Sequence, residues 1–355
     1  MLGFTLVEVM VSMVVLAIMM MLIAQIIGQT QKSWRMASTR LSQFREARIA
    51  FDTITRNLRQ STLDAYRDFV YSNGTNIPKS NRPEDFPVGY KRYADLAFVS
   101  GQAKDLVKSS DDDSENLSET SLSGHAVFFQ APLGVTDPAD KDSPQENGRP
   151  KYENLKNLLC ARGYFVQFGS NKNYLPKHLI SRLEETNRFR LMEYQPPAEK
   201  NNVYVDPGSE DWKKVDSDYV RPVSDKIVGL ILSPRLSSGN ESINIGGSKQ
   251  SPTAIAPNYE YDSNKVTSVT VSNAQGTQYL LPPVVKVTMI AVDEASMEIL
   301  AKGSPDVLSE SGGQFTNASN YDADLNKVRQ YLGGKKINYR IFEASVVIPA
   351  SRWAL

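Results

Sequence analysis

Glu8 is the only charged residue between Phe4 and Ile27, in a run that stays apolar through Leu22, Ile23 and Ala24. A carboxylate is chemically out of place there. An ionisable group costs roughly 2.5–3.5 kcal/mol at the centre of a membrane-spanning helix, so it calls for a partner. The partner that suits it is an ammonium held in the same low dielectric, where each charge stabilises the other more than in water. Elsewhere the residue types that carry chemistry are sparse. His125 and His178 are the only histidines and Cys160 the only cysteine, too few for a zinc site. A Ser–His–Asp set can be drawn on paper through His125, but no nucleophile elbow flanks any serine. His178, beside Leu179 and Ile180, reads as a helix-surface residue, and Cys160, after Leu158-Leu159, as a small apolar core residue. A hydrolytic carboxylate pair stays open, since any two acids can meet in a fold.

Acidic runs are the remaining features with ligand character. Asp111-Asp112-Asp113-Ser114-Glu115 and the stretch from Asp137 through Asp142 to Glu146 offer oxygen atoms that suit calcium. Neither follows helix–loop–helix calcium spacing. Asn320-Tyr321-Asp322-Ala323-Asp324-Leu325-Asn326 begins like such a loop, but Lys327 stands at the turn glycine and Gly333 where the closing glutamate belongs. All three read as solvated acidic segments. Gly312-Gly313 and Gly333-Gly334 lack the strand-to-helix context of a phosphate loop and read as turns. Formal net charge is zero and no basic block stands out, so there is no electrostatic case for nucleic acid. One cysteine rules out an intrachain disulfide and leaves the redox compartment open.

The elements that position Glu8 come next. From Phe4 to Ile27 a helix would be about 36 Å long, enough to cross a hydrocarbon core of about 30 Å. The run is too long for an ordinary secretory signal peptide, and no small-residue cleavage site follows it. Beyond it Ile27, Trp34, Ala37, Leu41, Phe44, Phe51, Ile54 and Leu58 recur at threes, fours and sevens with Arg40, Arg45, Arg48, Arg56 and Arg59 between them. This spacing predicts an amphipathic continuation of the same helix, roughly 60 residues in all. Gly28, at the junction, either softens the helix by about 1 kcal/mol or is simply tolerated there.

The stretch Tyr71–Lys91 is loop-like, punctuated by Gly74, Pro78, Pro83, Pro87 and Gly89. Strands are expected at Leu96–Ser100, Ala126–Gln130, Tyr164–Phe168, Leu191–Tyr194, Lys226–Leu232, Val284–Val292 and Asn338–Ile348. Short helices are expected at Tyr152–Cys160, Pro176–Glu185, Glu294–Lys302 and Ala323–Leu332. Ser237 through Ser251, rich in Gly, Ser and Asn, reads as a flexible excursion. The expected class is α+β, a long N-terminal helix packed on a mainly antiparallel sheet.

Gly3-Phe4-Thr5-Leu6-Val7-Glu8, followed by its apolar helix, resembles the processing and methylation site of type IV pilins and the pseudopilins of type II secretion. The resemblance implies that a prepilin peptidase cuts after Gly3 and that Phe4 becomes an N-methylated amino terminus. It also implies that Glu8 pairs with the Phe4 ammonium of a neighbouring subunit during assembly. Met1-Leu2-Gly3 departs from the family in carrying no basic residue, whereas Lys32, Arg35, Arg40, Arg45 and Arg48 follow the span. A long downstream domain is exported largely regardless of such flanking charge.

Within the family, Phe44-Arg45-Glu46-Ala47-Arg48-Ile49-Ala50-Phe51-Asp52 through Leu58-Arg59-Gln60 resembles the stem of the J-type minor pseudopilins and the PilW-like minor pilins. Asp95–Gly101, Leu281–Val287 and Ile341–Pro349 resemble sheet strands of the same group. The chain's length and Ala291-Val292-Asp293-Glu294 also resemble the Verru_Chthon cassette protein C family.

The resulting expectation is a short leader (1–3), a transmembrane half-helix (4–27), an amphipathic half-helix (28–70) and a periplasmic pilin-like head (71–355). The subunit would sit single-pass in a bacterial inner membrane, with no cofactor, no metal and no enzymatic activity. It would join a filament, at the tip because a bulky head stacks poorly in a helical array. Its partners would be other pseudopilins or pilins, the prepilin peptidase, the inner-membrane assembly platform and membrane lipid. The alternative is a membrane-anchored periplasmic binding or enzymatic domain that never polymerises and has no use for Glu8.

Overall fold

The apolar run near the amino terminus is helical from its first described residue, Leu6. A computed structural model describes residues 6–72, 74, 86–108, 121–136, 145–146, 149–150, 155–172, 178–179, 182–201, 211–237, 251–266 and 275–351 of the 355-residue chain. It divides into two units, Met1–Glu46 and Ala47–Leu355.

The first unit is helix α1, Leu6–Gln43. An 18-residue window within its stretch Leu6–Gln31 reaches a mean hydropathy of 2.7, and the stretch has no buried residue. At 1.5 Å per residue it is about 39 Å long, sufficient for a bilayer core. Outward-facing Val11, Leu16 and Ile23 are each more than half exposed, as lipid contact requires. Gly28 lies inside α1 without interrupting it, and a Cβ there would meet nothing within 4 Å. The helical run breaks at Phe44 instead, so the expected single rod is two helices.

The second unit opens at Ala47, within helix α2, Arg45–Arg59. Ala47, Ala50, Phe51, Ile54, Asn57 and Leu58 form its buried face. Residues three and four apart share a helix face, which is why this spacing gives one continuous apolar stripe. The helix ends at Arg59, eleven residues short of the expected boundary at 70, because the chain is pinned to the head at once. The Ser61 hydroxyl donates to the Leu58 carbonyl at 2.8 Å, and the Thr62 N–H donates to the Gln130 carbonyl at 2.9 Å. Asp64 then accepts the N–H groups of Asp95 and Leu96, each at 3.0 Å.

Strands follow. β1 (Tyr66–Val70) pairs with β2 (Gly89–Tyr93) as an antiparallel ribbon. After β3 (Phe98–Gln102) and the short α3 (Ala103–Leu106) comes the long β4 (Leu122–Val135). A small hairpin joins β5 (Gln145–Glu146) to β6 (Arg149–Pro150). Then come β7 (Lys156–Ser170), β8 (Asn187–Tyr194), β9 (Val220–Asp225), β10 (Ile227–Arg235) and β11 (Tyr261–Asp262). The chain closes with β12 (Val284–Val292), α4 (Glu294–Leu300), α5 (Val307–Glu310), α6 (Tyr321–Gly334) and β13 (Tyr339–Val347).

Two antiparallel sheets carry the head. One has the order β11-β3-β4-β7-β8-β9 and the other β10-β12-β13. Lys226, at φ 68°, is the corner between them. Its N–H donates to Phe189 of the first sheet, and its carbonyl accepts from Val292 of the second. Register places Phe98, Phe129 and Tyr164 on one face of the larger sheet and Val99, Phe128 and Phe165 on the other. α2 touches the first of these faces through Asn57, whose Nδ2 donates to the Tyr164 hydroxyl at 2.7 Å. It touches the smaller sheet through Phe51, whose ring centre lies 5.7 Å from that of Phe342 in β13. The head is thus a helix on antiparallel sheets, the α+β pilin-like arrangement.

Each expected strand lies in or overlaps an observed one, and Val284–Val292 matches residue for residue. Two expected helices are corrected. The region Tyr152–Cys160 enters β7 at Lys156, because pairing with both β4 and β8 outweighs local preference. The described residues of Pro176–Glu185 are turn or irregular, and no helix lies among them. The stretch read as loop up to Lys91 ends in β2. Most of Ser237–Ser251 lies outside the described residues.

Candidate functional site

Glu8 sits in the first described turn of α1. Ser12, one turn on, donates its hydroxyl to the Glu8 carbonyl at 2.8 Å and lies 3.0 Å from that of Val9. Among the described residues, the hydroxyl one turn on from Glu8 is therefore satisfied within the helix. Val7, Val11, Val15, Leu16 and Met19 line the same flank as Glu8 and Ser12. The flank is a carboxylate and a hydroxyl bordered by aliphatic chains. Gly3 and Phe4 lie outside the described residues, as does the approach of the amino terminus to the carboxylate.

The other chemistry-bearing residues are drawn into the fold. His125 is fully buried; the Leu232 N–H donates to its Nδ1 at 3.0 Å, and Nε2 lies 3.1 Å from the Phe315 carbonyl. That pairing selects the neutral tautomer with the proton on Nε2. Burial lowers its pKa to about 4, against the opposing pull of the two backbone groups. Among the described residues no serine hydroxyl bonds either ring nitrogen; the partners are Leu232, Phe315 and Gln102. Cys160 is buried, and burial first of all pushes its thiol pKa up. That leaves it inert, as its apolar neighbours suggested. His178 is exposed in a turn rather than on a helix.

Of the acidic runs, Asp111–Glu115 and Asp137–Asp142 lie outside the described residues. Asn320–Asn326 is the start of α6, where Asp324 is buried and pairs with Lys327 at 2.9 Å. Among the described residues, no group of three or more His, Cys, Asp or Glu side chains is placed to hold a metal ion.

Two arrangements were not legible in the sequence. A buried network joins Asn57, Tyr164, Glu193 and Arg162: the Tyr164 hydroxyl donates to Glu193 at 2.5 Å, and Arg162 Nη1 donates to the same oxygen at 3.0 Å. Burial, then the Glu193 charge, pushes the Tyr164 pKa up. The network ties α2 to the sheet from positions far apart in sequence, with no local signal to announce it. The second arrangement is the outer face of α2, where Arg45, Arg48, Arg56 and Arg59 are all exposed. Their spacing was present in the sequence, but that all four stay exposed in the folded head was not.

Comparison with known families adds one match. The family described as the prokaryotic N-terminal methylation motif matches residues 2–24. Neither characterised proteins nor solved structures yield a match to the chain. The motif, on a single apolar helix of membrane-spanning length, supports a type IV pilin-like protein. It implies processing by a prepilin peptidase and partners of the pilin type, and it is consistent with a single-pass inner-membrane location.

Proposed function

We propose that this chain is a minor pseudopilin or minor pilin, a structural subunit of a type II secretion-like pseudopilus or a type IV pilus-like filament. The observation that carries the reading is the methylation motif over residues 2–24, set on a helix whose early charge is Glu8. The peptidase cuts after Gly3 and methylates the new amino terminus of Phe4. In the membrane, Glu8 has no water to solvate it, so an incoming subunit's Phe4 ammonium is its natural counter-ion. Charge pairing sets the axial register between neighbouring helices, and apolar flanks such as Val7, Val11 and Val15 supply the packing.

The head faces the periplasm and acts through shape rather than catalysis. Its two sheets and long connections support a place at the filament tip, where nothing need stack above it. J-type pseudopilins and PilW-like pilins are the finer class favoured by the stem run Phe44–Gln60.

The deciding measurement is the mature amino terminus, read by mass spectrometry on the full-length protein co-expressed with its cognate peptidase. N-methylated Phe4 is the expected result. An intact Met1 would overturn the proposal and leave a tethered domain.

A further inference from the structure

The outer face of α2 carries four arginines and one aspartate on a single ridge. Arg45, Arg48, Asp52, Arg56 and Arg59 follow one another at steps of three, four, four and three residues, within roughly 80° of arc and over about 21 Å of axis. All five are exposed. The opposite face, with Ile54 and Leu58 at 0% exposure, is already spent on the head.

The ridge is poorly neutralised. Arg48 approaches Asp52 only to 3.9 Å, with both side chains about two-thirds exposed, a contact worth little. Arg45, Arg56 and Arg59 have no ion-pair partner among the described residues. Along one edge of the ridge, about 40° round the helix from Arg45, sits Ile49, an aliphatic side chain 59% exposed. An exposed aliphatic side chain beside a row of guanidinium groups offers a partner both apolar and charged contact. Every cation of the ridge is arginine, whose planar fork pairs with carboxylates bidentately.

We propose that this ridge is a docking surface for an acidic helix face of a second, non-identical subunit, one carrying carboxylates at matching three- and four-residue spacing. The inference rests on the filament reading above and names the partner chemistry of its stem. Charge decides between occupants. A second copy of this chain offers the same arginines, so stem-to-stem pairing of identical copies sets guanidinium against guanidinium. A bilayer surface is a poorer fit, since an interfacial helix inserts its apolar face and here that face is buried in the head. The whole chain has zero formal charge, yet seven basic residues between Lys32 and Arg59 face only Glu46 and Asp52. The imbalance is local to the stem, as a heterotypic contact requires.

The test uses the full-length chain in cells that carry its own sister subunits. A photo-crosslinking amino acid replaces Ile49, and crosslinked peptides are mapped by mass spectrometry. The expected product joins position 49 to an acidic segment of a different subunit bearing the N-terminal methylation motif. The double variant Arg48→Glu/Arg56→Glu should lower its yield roughly tenfold or more, and arginine at the mapped acids of the partner should restore it. Both positions are exposed, and an unchanged thermal melt confirms that the head still folds.

A crosslink to a second copy, to lipid alone, or of a yield indifferent to charge reversal overturns the proposal, as does no crosslink. The amino terminus of the same sample separates the two claims. Processing at Gly3 without a charge-sensitive crosslink defeats the docking surface alone, whereas an intact Met1 defeats the filament.

Discussion

His125 and Gly124 are adjacent residues whose roles come from opposite ends of chemistry. His125 is held neutral between the Leu232 N–H and the Phe315 carbonyl, with its pKa lowered to about 4 by burial. An unfolded histidine titrates near 6.5, so between these values the unfolded chain binds a proton that the folded one refuses. Stability is therefore complete above about pH 6.5 and falls as pH drops toward 4, by a few kcal/mol at most. Thermal melting of the full chain across that window should show this slope, and His125→Gln should flatten it. Gly124 works through space. It adopts φ +73°, and a Cβ there would lie 2.5 Å from the Leu230 carbonyl oxygen of β10. Gly124→Ala should cost about 1–3 kcal/mol in backbone strain, more if β10 is displaced, read as a lower denaturant midpoint.

α2 is the element on which the head is assembled. Ile54 is completely buried on its inner face, and Phe51 and Asn57 reach the two sheets on either side of it. Ile54→Ala should destabilise the head by about 2–5 kcal/mol, with a melting temperature lowered accordingly, while leaving the exposed arginine ridge intact. The same element shows how legible secondary structure was. The stripe Phe51, Ile54, Leu58 declared a helix and its inner face. Its end at Arg59 was hidden, because it is set by Thr62 bonding to Gln130 in a distant strand. β9 escaped notice for a related reason: Pro222 and the exposed Arg221 look like loop, and only pairing with β8 makes the segment a strand. By contrast β12, a β-branched and apolar run broken only by Lys286 between Pro283 and Asp293, was readable to its last residue.

At the scale of the whole molecule, a greasy helix and a water-facing head meet different solvents, and the assembly argument belongs to the first. Glu8→Val should leave the head's melting temperature unchanged, since the residue lies in the other unit. It should sharply reduce incorporation into filaments, because breaking a charge pair in low dielectric costs about 3–5 kcal/mol. Sheared filament fractions blotted against whole cells measure this directly. Normal incorporation of the variant would mean that the carboxylate does not set the subunit's register.

The apolar helix and the methylation motif were readable from residue order because both depend on local properties: an apolar run of sufficient length, and one acid a few positions from a glycine. The same holds for the antiparallel strands with strong apolar runs. Long-range partners were not readable. Asn57 meets Tyr164, and His125 meets Leu232 and Phe315, because packing brings distant backbone and side chains within bonding distance, and burial then requires each polar group to be satisfied. At α2 the sequence declared the inner face, but which sheet residues meet it, Tyr164 at Asn57 and Phe342 at Phe51, was likewise settled by the head folding against it.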